Sequence, residues 1–395
     1  MVTEYVEGSV GTEFNKREFK VVGTRPPRPD GVDKVTGRAL FGADLTAPGM
    51  LHATILRSPH AHARIVSVDT SGALALDGVK AVVTSEDFVK QQSSGNQDTL
   101  DNCMARGKVF YDGHAVAAVA AISVKVANAA LKLIKVEYEV LPHETDLDAA
   151  MLDSAPVLHE GRKFRNIPEG NNANVSGFWE FGHGDMDDGF AKADVIVERS
   201  FKTAATHQGY IEPHATLATM GPDGRGEIWV CTQGHYMVRD LAAAFVGMET
   251  AQLRVTASEI GGGFGGKTTV YLEPVALALS KKAGRPVKMV MTREEVFRAS
   301  GPTTSSSTDV KIGMTKDGRI TAGQAKLRYQ GGAYPNITAM LGAMTAFASY
   351  DLDAVQTQAW NVLTNRPKQA AYRAPGAPMA IYTVESVVVE LCQKL

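Results

Sequence analysis

The stretch Ser258-Glu-Ile-Gly-Gly-Gly-Phe-Gly-Gly-Lys-Thr-Thr269 constrains this chain more than any other. Five of the six residues from 261 to 266 are glycine, and each glycine costs about 0.5–1 kcal/mol in ordering entropy inside a regular element. Such a run serves neither a helix nor a strand. It suits a loop whose backbone comes close to a ligand and offers it several N–H groups; a tight strand-to-helix turn is the plainer use. Gly261 to Thr268 also spells the phosphate-loop pattern GxxxxGK[ST], with a strand expected before it and a helix after it. On that reading Lys267 reaches the phosphates of a nucleotide and Thr268 holds magnesium. The rest of a P-loop NTPase is missing. Val287-Lys-Met-Val-Met-Thr-Arg293 ends in Thr and Arg where an Asp is needed for the metal.

Length and charge narrow the field. A chain of 395 residues, 44% hydrophobic and 21% charged, reads as two or three globular domains with a sizeable core. Its 41 basic and 43 acidic residues leave a net charge of −2, so no global field recruits nucleic acid or an anionic membrane. Trp179, Trp229 and Trp360 lack the basic interleaving that single strands need. The longest small-apolar run, Ala115 to Ile122, is too short to span a bilayer. The first residues show no basic flank leading into an apolar stretch, so the expected compartment is the cytoplasm. Cys103, Cys231 and Cys392 form no CxxC pair, which argues against a disulfide framework, a structural zinc site or an iron–sulfur cluster in this chain. Redox chemistry here would need a cofactor not held by cysteine. His207, Glu212 and His214 lie close enough in sequence to suggest a metal site, but isolated histidines are more often satisfied polar groups, and no side-chain metal ligation is expected.

The expected fold is α+β. Residues 1–29 read as a polar arm, with the proline-rich entry Arg25-Pro-Pro-Arg-Pro-Asp-Gly31. Residues 30–143 mix strands at Met50–Leu56, Ala63–Asp69, Val79–Thr84, Ala115–Ile122 and Val136–Val140 with a helix over Val126–Ile134. Residues 144–184, rich in Pro, Gly and Asn, read as a linker. A second domain, 185–395, is expected to hold strands at Val195–Phe201, Glu227–Thr232, Leu253–Ser258 and Val287–Met291. Its helices are expected at Val238–Val246, Thr269–Ala283 and Ala380–Leu391, and a hairpin joins Asp309–Met314 to Arg319–Gln330.

Several segments in order carry a resemblance. Gly31-Val-Asp-Lys-Val-Thr-Gly-Arg38, Phe41-Gly-Ala-Asp44, Arg57-Ser-Pro-His-Ala-His-Ala-Arg64 and Val136-Glu-Tyr-Glu-Val-Leu-Pro142 resemble the opening and close of an α/β hammerhead domain. His207-Gln-Gly-Tyr-Ile-Glu-Pro-His214, Thr232-Gln233, the glycine loop and Ala371-Tyr-Arg-Ala-Pro-Gly376 resemble successive cofactor-domain motifs. Together they are similar to the molybdenum-cofactor subunit of the xanthine oxidase family of molybdenum hydroxylases, from residue 30 onward. The resemblance implies that Gln233 hydrogen-bonds the oxo ligand of a molybdopterin-held molybdenum. It implies that Gly262, Gly263, Phe264 and Gly265 set backbone and one ring beside metal and pterin, and that Arg373 and Ala374 form a second loop beneath them. Gln233, Phe264 and Arg373 are then the catalytic candidates, and Glu212 and Thr268 belong to the substrate pocket. A side-chain amide can donate to an oxo group without competing as a ligand.

The resemblance further implies a water-derived oxidation of an aldehyde or N-heteroaromatic carbon, with electrons passed to [2Fe-2S] and FAD on partner subunits. The pterin is expected as the cytosine dinucleotide. The family's general-base glutamate lies in a part of the subunit that no acidic residue here matches, so a second chain carrying the remaining half is the expected partner. Departures bear on substrate. Thr268 stands where purine hydroxylases carry an acidic residue, Ser300-Gly-Pro-Thr-Thr304 replaces a purine-clamping arginine loop, and Ala374 stands where carbon monoxide dehydrogenases carry cysteine. Purine and CO oxidation are both disfavoured. A P-loop NTPase and a non-catalytic binding or assembly module remain as alternatives.

Overall fold

The strand Ala115–Ala121 is buried along its entire length, as a run of alanine and valine with no polar face requires. Its small side chains let helices approach from both sides. Ala118 and Ala120 join the core built on helix Glu273–Ala283, while Ala117 and Val119 join the one containing Ala130 and Ile134. This strand lies next to one edge of a seven-stranded sheet ordered Leu253–Ala257, Gly226–Val230, Ala215–Met220, Val287–Val290, Leu51–Arg57, Ala115–Ala121, Val79–Thr84. The sheet therefore draws strands from both sides of the stretch 144–184, joined where Leu51 runs parallel to Val287.

This computed structural model describes residues 19–395, in two compact units divided between Leu40 and Phe41. Most of the arm expected over 1–29 lies outside the described residues. Among its described residues the first unit has the short helix Gly31–Thr36, closed by Gly37 in the left-handed region at φ 75°. The rest of the chain forms the second unit.

A five-stranded sheet is ordered Val175–His183, Ala354–Leu363, Ile320–Gly332, Ser306–Met314, Val195–Thr203. The expected hairpin is its centre, turning through Thr315 and Arg319 with Gly318 at φ 87°. Helices Thr338–Thr345 and Ala377–Lys394 bury Ala339, Ala343, Ala380, Val384, Val387 and Leu391 against it. A three-stranded sheet pairs Ala63–Asp69 with Lys108–Val109 and Lys135–Val140.

Some expectations shift. The segment 144–184 ends in the strand Val175–His183, whose half-exposed edge position hides its alternation. The helix after the glycine loop starts at Glu273 rather than Thr269, because the Glu273 carboxylate accepts the N–H groups of Tyr271 and Leu272 just ahead of it. The run of hydroxyl side chains from Thr303 to Thr308 enters a strand at Ser306. Among the described residues no helix is long and apolar enough to cross a membrane.

Candidate functional site

Strands Gly226–Val230 and Leu253–Ala257 run parallel, and their carboxyl ends feed the two segments that build the site. That is where open sheets place ligands. From the first strand, Thr232 Oγ1 and Gln233 N both donate to the carbonyl of Lys267, at 2.9 and 2.8 Å. From the second comes the glycine loop, whose Gly265 N–H donates to Gln233 Oε1 at 2.9 Å, with Lys267 N–H further off at 3.4 Å. Two backbone donors on Oε1 assign the amide, so Nε2 keeps its protons for a partner outside the loop.

The loop is strained where it turns. Asn166, Phe264 and Ala374 are the non-glycine residues with positive φ among the described residues, the last two at 53° and 61°. A side chain in the left-handed region costs roughly 1–2 kcal/mol, and such strain concentrates where a site needs a particular backbone. The loops that carry Phe264 and Ala374 also meet. Arg373 N–H donates to the Phe264 carbonyl at 2.8 Å, and a Cβ on Gly265 would sit 2.8 Å from the Ala371 carbonyl. The second loop is braced behind by Tyr329, whose hydroxyl donates to Gly376 O at 2.8 Å.

Beside these loops opens a cleft of about 680 Å³, walled by Gln208, Phe264, Thr303, Tyr372, Arg373 and Tyr382 among others. Gln208 Nε2 donates to the carbonyls of Ala371 and Gly301, at 2.8 and 3.1 Å. Its Oε1 and the Thr303 hydroxyl are buried without a hydrogen-bond partner among the described residues. Buried polar atoms are nearly always paired, so these two orphans mark a wall built to meet a polar ligand. A molybdopterin fits what is present: a glycine backbone half-buried at Gly261, Gly262 and Gly265, an outward amide and unpaired polar atoms, with Gln233, Gly262 to Gly265, Arg373 and Ala374 as the residues that would hold it.

The structure thus brings together Gln233, Gly263, Phe264, Gly265, Arg373 and Ala374. It does not bring Glu212 or Thr268 to the cleft wall. Glu212 is buried, with its carboxylate taken by Lys267 Nζ at 2.7 Å and by the N–H groups of Gly261 and Gly42 at 2.8 and 3.1 Å. Thr268 Oγ1 donates back to Gly265 O at 2.8 Å. The same ion pair counts against the phosphate-loop reading, because Lys267 is 1% exposed with its ammonium already engaged, and no helix begins at Thr268. His207 and His214 are bound by hydroxyls, Ser300 at 2.9 Å and Tyr210 at 2.8 Å. Burial lowers both, with help from Arg293 for His207, to about 4, and from Lys267 for His214, to about 3. No group of three or more His, Cys, Asp or Glu that could hold a metal is found among the described residues.

Sequence reasoning passed over Gln208, Tyr372 and Tyr382. Gln208 and Tyr372 sit inside quoted motifs, but only the unpaired oxygen and the cleft give Gln208 a role. Tyr382 was hidden as an outward position on the last helix.

Known proteins match the segments that build this site. Residues 36–142 match the model of the aldehyde oxidase and xanthine dehydrogenase a/b hammerhead domain, and residues 167–395 match that of the molybdopterin cofactor-binding domain. The chain is 32% identical to the probable hypoxanthine oxidase XdhD of Escherichia coli K12, over 96% of this chain and 43% of that protein. It is 31% identical to the nicotinate dehydrogenase large molybdopterin subunit of Eubacterium barkeri, over 96% of this chain and 87% of that one. The aldehyde oxidoreductase of Desulfovibrio gigas superposes with a TM-score of 0.84 at 30% identity, over 94% of this chain and 42% of that one. The chain thus spans less than half the length of the first and third of these and most of the second. It belongs to the aldehyde oxidase and xanthine dehydrogenase family of molybdopterin-dependent oxidoreductases, carrying that family's hammerhead and cofactor-binding segments.

Proposed function

We propose that this chain is the cofactor-holding part of a molybdenum hydroxylase acting on a neutral aldehyde or N-heteroaromatic compound. The observation that carries the proposal is the convergence of the Gln233 amide, the strained Phe264 loop and the Arg373 peptide, tied by contacts of 2.9 and 2.8 Å, with Phe264 and Arg373 lining the cleft. When bound, the molybdenum cofactor supplies the two-electron oxidation of a substrate carbon, with oxygen taken from water. The chain's own groups bind and orient. Gln233 Nε2 would donate to the cofactor, the glycine backbone would admit it, and the Phe264 ring, 47% exposed, would pack beside it. Preorganised donors of this kind act where charge develops. We take the pterin to be the cytosine dinucleotide form.

The wall supports the substrate class. Phe264, Tyr372, Met379 and Tyr382 offer aromatic and apolar surface, and Arg373 is the one charged side chain among the described residues lining the cleft. That surface suits a flat neutral ring or an aldehyde. No carboxylate is among the described lining residues, and the reading assigns the general base to a partner chain. The Eubacterium barkeri relative is named as one subunit and has nearly this chain's length, which supports a large subunit divided over two polypeptides. Partner subunits with [2Fe-2S] and FAD would take the electrons onward, and the free cysteines Cys103, Cys231 and Cys392 suit the cytoplasm.

Purification of the complex from its native host, with metal and flavin analysis of each co-purifying chain, tests the proposal. Stoichiometric molybdenum with iron and flavin on partner chains is expected. An intact complex free of molybdenum and pterin would remove the hydroxylase reading and leave a binding or assembly role.

A further inference from the structure

We propose that Glu212 and Lys267 form a positioning pair that clamps both ends of the glycine loop and thereby aims the Gln233 amide; the link to cofactor binding rests on the function proposed above. The two side chains are almost wholly out of solvent, at 0% for Lys267 and 8% for Glu212. They touch at 2.7 Å. A lone ion buried this deeply is strongly destabilising, so each partner is held by the other. The attachments give the pair its purpose. Glu212 Oε2 accepts the Gly261 N–H at 2.8 Å, at the start of the loop, while Lys267 stands at its end. Oε1 accepts the Gly42 N–H at 3.1 Å, and Phe41 forms a parallel bridge with Glu259, just ahead of the loop.

The fit is close enough to be specific. A Cβ on Gly261 would lie 2.6 Å from Glu212 Cβ, so the glutamate backbone and the loop share one narrow space. The Lys267 ammonium also lies over the Tyr210 ring, at 4.9 Å from its centroid. From Lys267 the chain of contacts runs directly to the site. Its carbonyl receives Gln233 N–H and the Thr232 hydroxyl, and its own N–H faces Gln233 Oε1. If the lysine backbone moves, the amide loses its alignment. Glu212 and Lys267 line no wall of the cleft, so the pair acts through the loop.

Hydrogen exchange on the full complex, with pterin content measured on the same samples, tests this. Wild type is compared with Lys267→Met, Glu212→Gln and the double variant. Each single variant leaves one buried polar head without its counter-charge. Amides of Gly261 to Lys267 and of Gln233 are expected to exchange roughly 10²–10³-fold faster in the single variants, with exchange in the five-stranded sheet unchanged and pterin content reduced. The double variant, which removes both charges, is expected to regain protection at the loop. Even acceleration across the whole unit, or loop protection within about twofold of wild type in Lys267→Met, would overturn the proposal. The exchange readout does not depend on the metal. A wild-type complex with a clamped loop but no pterin would refute the proposed function and leave the clamp standing.

Discussion

Replacing Gly263 by alanine adds one methyl group where the structure has no room for it. The new Cβ would lie 2.5 Å from Gln233 Oε1, 2.9 Å from Cδ and 3.3 Å from Cγ. Gly263 does not have a positive φ, so the substitution adds no backbone strain, and the contact is with the end of one flexible side chain. Gln233 is exposed at its position, so it can swing away. Moving it gives up the hydrogen bond from Gly265 N–H and the longer contact from Lys267 N–H. At about 0.5–1.5 kcal/mol for each bond, and with water able to replace them, the stability cost is about 1 kcal/mol. The functional cost is larger, because the amide is no longer oriented. Loss of a preorganised donor lowers turnover by about 10²–10³. The assay is a pair of measurements on the purified complex, thermal unfolding and turnover per bound molybdenum. A Tm lowered by a few degrees with turnover down at least tenfold is expected. Turnover within a factor of about two of wild type, with the alanine methyl in place, would refute the reasoning, because the site would then tolerate a displaced Gln233. Gly263→Val, with a branched side chain, is expected to block cofactor retention itself.

Other consequences can be checked separately. Gln233→Ala is expected to lower turnover by about 10²–10³ at unchanged molybdenum content, with circular dichroism matching wild type. Ala374→Gly removes a left-handed Cβ at φ 61° and, after the entropy of the added glycine, is expected to stabilise the chain by about 0.5–1 kcal/mol in urea unfolding. His214 and His114 are buried and neutral, held at about 3 and about 4 by burial. Unfolding lets both bind protons near their ordinary value, so their stabilisation is complete above about pH 6.5 and falls as pH drops toward the folded values, by about 2.7 kcal/mol per unit for the two together. The slope of unfolding free energy between pH 6 and 4 should fall by about half that amount in His214→Gln.

The sequence disclosed the parts of this molecule whose periodicity is unbroken or whose composition has one use. Ala115–Ile122 reads as a strand and Val238–Val246 as a helix, and the structure has the strand Ala115–Ala121 and the helix His235–Val246 there. The glycine loop announced close backbone approach, and Gly263 against Gln233 is such an approach. Other elements were hidden for physical reasons. Ala215–Met220 is a strand of small and polar residues between two partners, and its polar members pack inward because Thr216 Oγ1 finds the Trp229 carbonyl at 3.2 Å. The sheet that joins Leu51 to Val287 depends on a pairing across more than two hundred residues, which no local pattern encodes. Glu212 shows the converse difficulty. A glutamate between two histidines reads as chemistry until its neighbours in space are known, and here those neighbours are a lysine and two peptide N–H groups that consume it.

What the chain brings to its cleft also explains why the sequence offered no acid–base pair to find. The wall is peptide groups, a neutral amide, hydroxyls, aromatic rings and one guanidinium, Arg373, with the ionisable pair Glu212–Lys267 set behind the loop. Carboxylates or imidazoles placed in that wall would titrate, whereas a guanidinium stays charged. Backbone dipoles do not titrate either, and they hold their direction only if the backbone is pinned. Strain at Phe264 and Ala374 is compatible with a stable fold because each strained turn is fixed by contacts on either side: Gly265 against Ala371, Arg373 N–H on the Phe264 carbonyl, and Tyr329 on Gly376. Removing the last of these contacts separates the two roles. Tyr329→Phe takes away one buried hydrogen bond of 2.8 Å from behind the second loop and leaves the ring packing intact, a loss of about 1 kcal/mol. If pinning is what the site requires, cofactor affinity should fall by more than that loss of stability would produce, because Arg373 N–H and the Phe264 peptide shift together. A Tyr329→Phe complex less stable by about 1 kcal/mol, yet with wild-type cofactor affinity, would show that the loops keep their geometry without the brace.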